Sequence, residues 1–553
     1  MKEVNKKNLL KVLVIVPARG GSKGIPRKNL RALNRKPLIF YSINNALSIK
    51  NCSVDCYVST DDDEINLIAL KFGAKTISRD SEISDDNTTL DPVIFDAFTK
   101  ISSKENKQYD YVITLQATSP LLRKETLDLA ISEMEKNNID TLISGVYDSH
   151  LTWLKTGDNY VANYEKRVNR QFLPKIYKET GGFVITKSKF VTKKSRFGKN
   201  IQIFPLTKRE SIDIDDYEDW NLCEFYLSRK VLLFVVTGNS SVGMGHVYNT
   251  LSIANEILKH RIVFLVDSSS KLAYKKISEY NYEVHIQKEE DILQDILNLK
   301  ADIIINDKLD TERGYVKKLK DEGLLVINFE DLGSGSKEAD LVINAMYPEE
   351  RIIPNHYYGA KYFILRDEFL LTKKKEIIKS VKQVLISFGG VDPNNFTDRV
   401  LGIISNYCNA NNINITVILG MGYEFEDKLK EDYNNITIKH NVNNISDEIL
   451  NSDLVFTSAG RTTFEVASIG VPSIVLCQNN RETTHFFASQ KNGFYNLGLG
   501  SEVNDSTIFE VFQSTLSFDI RLLMHQRMQQ NGINKGKERV IKLINQTISN
   551  KFN

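Results

Sequence analysis

A short apolar run at residues 12–16 opens straight into PARGGSKGIPRKN, residues 17–29, and this junction constrains the fold more than any other stretch. An apolar run closed by a glycine-rich turn reads as a buried strand entering a loop. Gly20, Gly21 and Gly24 let the backbone turn tightly and come close to a ligand. Arg19, Lys23, Arg27 and Lys28 place cations around the same turn, beside Ser22 and Asn29. Backbone N–H groups and clustered cations at the carboxyl end of a strand suit a triphosphate. The spacing is not that of a Walker loop, because G-x-x-x-x-G-K-[ST] is absent. A solvated basic loop is the alternative that this segment alone leaves open.

Strand-like and helix-like runs alternate from there onward. Strands are expected at 12–16, 54–58, 111–115 and 141–146, and helices at 37–47, 63–72, 92–100 and 124–137. This alternation predicts an α/β fold, with a mostly parallel Rossmann-like sheet covered on both faces and ligands at the carboxyl ends of its strands. The pattern restarts near 228–230, where the run 231–236 leads into a second glycine-rich turn, TGNSSVGMGH. Strands at 263–266, 303–305 and 325–328 belong to one further sheet. After the basic, polar stretch 371–382, strands at 384–388, 416–419, 454–457 and 473–476 belong to another. The expected division is 1–228, 229–375 and 376–553, the last two forming doubly wound lobes with a cleft between them.

Composition excludes several classes. The 553 residues allow about two to four domains with their own cores. Lys+Arg 72 against Asp+Glu 70 gives no charge excess that would call for nucleic acid or an anionic membrane. Five scattered cysteines point to a reducing, cytoplasmic setting, and Cys52 and Cys56 lack a second pair at metal-ligand spacing. No apolar stretch approaches the ~20 residues of a membrane span. The run LLKVLVIVPA reads as a first strand rather than a signal peptide.

Several residues near the expected strand ends carry chemistry. In SIDID, Asp213 and Asp215 alternate as on a strand, which would point both carboxylates the same way. Two hard oxygens facing a triphosphate suit Mg²⁺, although a polar strand edge or a helix cap supplied by Asp215–Asp216 fits the same letters. Ser59 and Asp61 close the second strand near the expected nucleotide, with Thr60 or Asp61 equally placed to cap the next helix. Gln116 lies just past the third. Arg170, Gln171 and Lys178 are candidates for binding a substrate's carboxylate or acyl groups.

PARGGSKGIPRKN, RKPLIFYSINNA, VSTDDDEI, LQATSPLLR and SIDIDDYEDW, in this order across residues 11–228, resemble the acylneuraminate cytidylyltransferase family. The resemblance implies transfer of CMP from CTP to a nine-carbon sugar acid of sialic, legionaminic or pseudaminic type, with release of pyrophosphate. It also implies Mg²⁺ on Asp213 and Asp215, phosphate contacts from Arg19, Lys23 and Lys28, and a homodimer whose subunits complete one another's sites. Ala117 stands where the family has proline, Thr180 where many members have asparagine, and Phe183 where many have tyrosine.

The second half has its own signals. Gly389–Gly390 after a strand permits close backbone approach to a diphosphate. The turn 458–460, ending in Gly460, leads into a helix near Thr462 whose N-terminus favours the same anion. Glu465 lies one turn further on, where a first-turn acid can simply complement the dipole. TGNSSVGMGHVYNTLSIANEIL, VLISFGGVDPNNFT, TSAGRTTFEVASIGVPSIVL and NNRETTHFF resemble hydrolases that release the nucleotide from UDP-linked diacetamido-trideoxy sugars, which share the two-lobed glycosyltransferase-B fold. The resemblance spans residue 231 to about 540. It implies His246 as general base on water, Glu465 on the ribose hydroxyls, and a UDP-sugar as ligand. His485 is expected to pack or to face solvent. Asn249 replaces a family arginine, and NDKLD around Asp307 replaces an acidic-aromatic segment. A glycosyltransferase or a catalytically silent nucleotide-sugar module fits the same fold.

Overall fold

The computed structural model describes residues 9–21, 24–85, 88–239, 242–348, 353–433, 435–440, 442 and 444–552, the side chain of residue 428 apart. The chain divides into two compact units, Met1–Arg229 and Lys230–Asn553.

The first unit is built on a seven-stranded sheet in the spatial order Ile201–Pro205, Thr141–Tyr147, Tyr177–Lys187, Tyr111–Leu115, Leu10–Pro17, Cys52–Thr60 and Lys75–Ser78. Only Tyr177–Lys187 runs antiparallel to its neighbours. The apolar run in Leu10–Pro17 reflects burial on both faces. Val12, Val14 and Val16 enter one core and Leu13 and Ile15 the other, as alternation along a strand requires. The register between Tyr177–Lys187 and Thr141–Tyr147 shifts between Glu179 and Val184, at Thr180, Gly181 and Gly182. Such a bulge re-aims the chain beside a site.

The second unit has two lobes, each built on its own parallel sheet. Its first sheet orders Glu283–Ile286, Arg261–Val266, Val231–Val236, Ile303–Asp307, Leu325–Phe329, Leu341–Asn344 and His356–Tyr358, all parallel. Its second orders Ile436–His440, Asn414–Leu419, Gln383–Ile386, Leu454–Thr457, Ser473–Cys477 and Phe494–Leu499, also all parallel. The last helix, Gly536–Phe552, departs from the expected division at 376–553. Its apolar stripe of Val540, Ile544 and Ile548 packs into the core of the first lobe. Among the described residues no helix is long and apolar enough to cross a membrane.

One local expectation fails. Asp213 and Asp215 are not on a strand: Ile214 makes a lone backbone bond from its N–H to the Thr118 carbonyl (2.8 Å), and no ladder continues from it. The alternation S-I-D-I-D arises because Ile214 is buried between two acids on an irregular segment. A helix then starts at once, Tyr217–Ser228, with Asp216 as N-cap and Asp219 completing a capping box.

Candidate active sites

In the first unit the strand Leu10–Pro17 hands the chain to the glycine-rich loop at the carboxyl end of the sheet. Ala18 N–H donates to the Ser59 carbonyl (2.9 Å) and Gly20 N–H to Asp61 Oδ1 (3.0 Å). A Cβ on Gly20 would fall 2.6 Å from Asp62 Oδ2, so this close approach needs glycine. Asp62, rather than Thr60 or Asp61, caps the following helix, accepting from the N–H groups of Glu64 and Ile65. Asn29 is buried and donates to the Arg19 carbonyl (3.1 Å), which makes it a support of the loop. Gly21 is exposed with open space around it, and Arg19 is half-buried. Ser22 and Lys23 lie outside the described residues.

The loop turns toward the acidic segment. Lys28 Nζ donates to the Ile214 carbonyl at 2.6 Å, and a Cβ on Gly24 would sit 2.5 Å from the Asp215 carbonyl oxygen. Asp213 Oδ1 is buried and has no partner among the described residues, while Thr118 donates to the side chain. Burial, with the neighbouring Asp215 charge, raises the Asp213 carboxyl above the usual range. Gly181, in the bulge, makes room for it: a Cβ there would lie 2.7 Å from Asp213 Oδ2. Just upstream Glu210 anchors the segment, accepting from Arg123, Thr126 and Thr207. Burial pushes the Glu210 carboxyl up, but these hydrogen bonds outweigh it and hold the group below its ordinary range.

Other expected contacts are placed differently. Ser59 is fully buried, and its hydroxyl accepts from Arg79 Nε (3.4 Å), so it supports the strand end instead of meeting a nucleotide. Gln116 is half-buried just past Tyr111–Leu115, its carbonyl accepting from Ser42. Arg170, Gln171 and Lys178 are exposed. Arg170 donates to the Ser149 carbonyl (3.1 Å) and stacks over Tyr147.

The second unit encloses a cavity of about 500 Å³ lined from both lobes. His246 lies in the first turn of Gly245–Ala254, its Nδ1 2.5 Å from Oδ1 of the fully buried Asp307. With Nδ1–H donated to that carboxylate, Nε2 is the basic nitrogen. Asn249, one turn on, donates to Asp307 Oδ2 (2.7 Å) and accepts from Arg461 (3.0 Å). The cation missing at position 249 thus comes from the other lobe. Glu330 also lines the cavity, with its carboxylate accepting from the N–H groups of Ala345 and Met346. Burial and the nearby Asp307 charge push it up to about 7.

Gly389 adopts a φ of 86° after Gln383–Ile386, and Gly390 follows it against Met244. Gly460 and Thr462 border the cavity at the start of Thr462–Ile469. Glu465 is buried and ion-paired to Arg366 at 3.0 Å, more than a dipole complement alone. His485 neither packs away from the cleft nor faces solvent. It lines the cavity, with Nδ1 2.7 Å from the Ala459 carbonyl, and burial pushes it down to about 4. Arg481 forks onto Asp310 (3.0 and 3.1 Å) and donates to the Tyr347 hydroxyl. Sequence reasoning missed Glu330, Arg461 and Arg481; the only available signal was an acid or a cation next to a strand end or glycine turn.

Among the described residues no cluster of three or more His, Cys, Asp or Glu could hold a metal ion, so Asp213 and Asp215 stand as a pair.

An α/β unit with a glycine-rich loop facing an acidic pair, followed by a two-lobed unit around a cavity, is the class that this geometry defines. The Cytidylyltransferase family model matches residues 13–241. The pseudaminic acid cytidylyltransferase of Campylobacter jejuni is 35% identical over 38% of this chain and 93% of its own length. The CMP-N,N'-diacetyllegionaminic acid synthase of the same species is 30% identical over 40% of this chain and 98% of its own. The Methanocaldococcus jannaschii protein MJ1062 is 35% identical over 45% of this chain, which spans 56% of that protein's length. The chain belongs to the cytidylyltransferase family.

Proposed function

We propose that the first unit transfers CMP from CTP to the anomeric hydroxyl of a nine-carbon sugar acid. The hydroxyl oxygen forms a bond to the α-phosphorus, the bond to the bridging oxygen breaks, pyrophosphate leaves and the hydroxyl proton passes to solvent. This reaction depends mostly on positioning and charge neutralisation. The observation that carries the reading is the meeting of loop and acids: Lys28 on the Ile214 carbonyl, Gly24 against Asp215, and an orphaned oxygen on Asp213. Loop N–H groups with Arg19 and Lys23 would hold the phosphates. Asp213 and Asp215 fit Mg²⁺, since they are hard oxygen donors and one oxygen is buried without a donor. The ion would neutralise phosphate charge. The relatives named for pseudaminic and legionaminic acids support a sugar acid of that class, and the amide of Gln116, just past Tyr111–Leu115, would read the sugar or the base. Incubation with CTP, Mg²⁺ and a panel of such acids tests this by pyrophosphate release; no release with any acid rejects it.

For the second unit we infer hydrolysis of a UDP-linked amino sugar. Water deprotonated by His246 Nε2 attacks the anomeric carbon, and the bond to the diphosphate oxygen breaks. The His246–Asp307 pair at the cavity wall carries this reading. UDP released without an acceptor supports it, and release only with a sugar acceptor replaces it by glycosyl transfer. His246→Ala should stop UDP release while sparing pyrophosphate release. The hairpin Trp153–Thr156 and Asn159–Ala162 of the first unit, with Trp153, Leu154, Tyr160 and Val161 exposed, supports assembly as a homodimer.

A further inference from the structure

One continuous line of polar contacts crosses the cavity of the second unit from the second lobe to His246. Arg461 immediately precedes Thr462–Ile469 in the second lobe. It donates from Nη1 to Asn249 Oδ1 (3.0 Å) and from Nη2 to the Ile364 carbonyl (2.6 Å). Asn249 Nδ2 donates to Asp307 Oδ2 (2.7 Å), and Asp307 Oδ1 meets His246 Nδ1 (2.5 Å). Asn249 and Asp307 are 5% and 0% exposed, so water does not compete for these atoms. The Asn249 amide is fixed in one sense. Flipped, it would set N–H groups against a guanidinium and an oxygen against a carboxylate.

The arginine is itself held. Its guanidinium lies 4.5 Å over Phe363, which stacks on Phe464, which stacks in turn on Phe487. Gly245 lets its stem pass between the lobes, since a Cβ there would fall 3.2 Å from Arg461 Cδ. Arg461 Nε is buried and unpartnered among the described residues, so the side chain is committed to Asn249 and Ile364. The same residue opens the helix expected to meet a diphosphate.

We propose that Arg461 is a positioning residue for His246, acting from the opposite lobe through Asn249 and Asp307, so that the base is aligned only while the two lobes are seated together. The proposal rests on the nucleotide-sugar reading of this cavity for what His246 does, but not for the relay itself. The charged and titratable groups facing His246 are Asp307, Glu330 from the adjoining strand end, and His485 from the second lobe, with Arg461 reaching it through Asp307.

The test is a pH titration of the His246 ring by ¹H–¹³C NMR in the full chain, assigned among the eight histidines by its loss in His246→Gln. Asn249→Leu removes a donor from Asp307 and concentrates its charge on the imidazolium. The midpoint should rise by about half to one pH unit. Arg461→Lys keeps the charge but not the fork, and should reproduce much of that rise. The double variant should show no more than Asn249→Leu alone. An Asn249→Leu midpoint equal to that of the unaltered chain, or shifts that add in the double variant, overturns the relay. If Asn249→Leu does not fold, Asn249→Ser carries the same comparison. A parallel arm adds UDP: binding that moves the His246 midpoint in the unaltered chain but not in Arg461→Met supports coupling between the lobes. Absence of UDP binding by calorimetry rejects the nucleotide-sugar reading, while the ligand-free titrations still decide the relay.

Discussion

Asp213 is under two opposing demands. Its Oδ1 is buried without a donor, and burial raises its carboxyl, yet Asp215 and Lys28 keep it in a charged neighbourhood. A buried acceptor left without a partner costs about 1–3 kcal/mol. Asp213→Asn should therefore lower Mg²⁺-dependent pyrophosphate release by about 100-fold or more while leaving the thermal midpoint unchanged or higher. A large drop in midpoint would make the residue structural instead. Glu210 behaves oppositely. Its folded carboxyl is depressed, so its contribution to stability is present above the unfolded carboxyl range and is lost as pH falls through the folded value. Glu210→Gln should lower the urea midpoint at pH 7, and the gap to the unaltered chain should close as pH falls below about 4. A gap that stays constant with pH would show that charge plays no part. At this scale the sequence pointed to two local motifs, the glycine-rich loop and the SIDID acids, which the structure brings together through Lys28 and the Ile214 carbonyl. It was silent where a role depends on a distant partner. Arg461 meets Asn249, 212 positions away, and nothing near either residue announces the other.

The elements were legible because buried parallel strands are continuous apolar runs. The strands at 111–115 and 231–236 were read to the residue, and helix bounds differed by a residue or two at most ends, where caps decide. Alternation misled at SIDID, because one buried residue between two acids copies the period of a strand. The bulge at Gly181–Gly182 was not legible as a bulge, since a register shift belongs to two strands at once. Its function can be tested at Gly181. A methyl there would lie 2.7 Å from Asp213 Oδ2 and 3.0 Å from Ser119 Oγ, and the acid has to give way. Gly181→Ala should cut pyrophosphate release by about 10- to 100-fold through misplacement. Its stability cost should be about 1–3 kcal/mol from overpacking. Release at the unaltered rate would mean that the position of Asp213 is not critical.

At the scale of the whole molecule, each unit has its own cores and its own site, which is why two separate resemblances were readable along one chain. Association with a second copy was readable only as an implication, because no motif encodes it; the structure adds a physical reason. The hairpin Trp153–Thr156 and Asn159–Ala162 is a two-stranded ribbon on its own. Its register puts Trp153 and Tyr160 on one face and Leu154 and Val161 on the other, and all four are exposed. Nearby Phe172 is 69% exposed and Ile176 48%. A lone ribbon is marginal in water, and apolar groups on both its faces need a cover. The cover proposed is a second copy of the first unit. Leu154→Asp with Tyr160→Asp should convert a dimer into a monomer by light scattering, with about a 10-fold or greater loss of sugar-acid turnover if the subunits complete one another's sites. A monomer before mutation, or a dimer that survives both changes, would assign the arm to another partner.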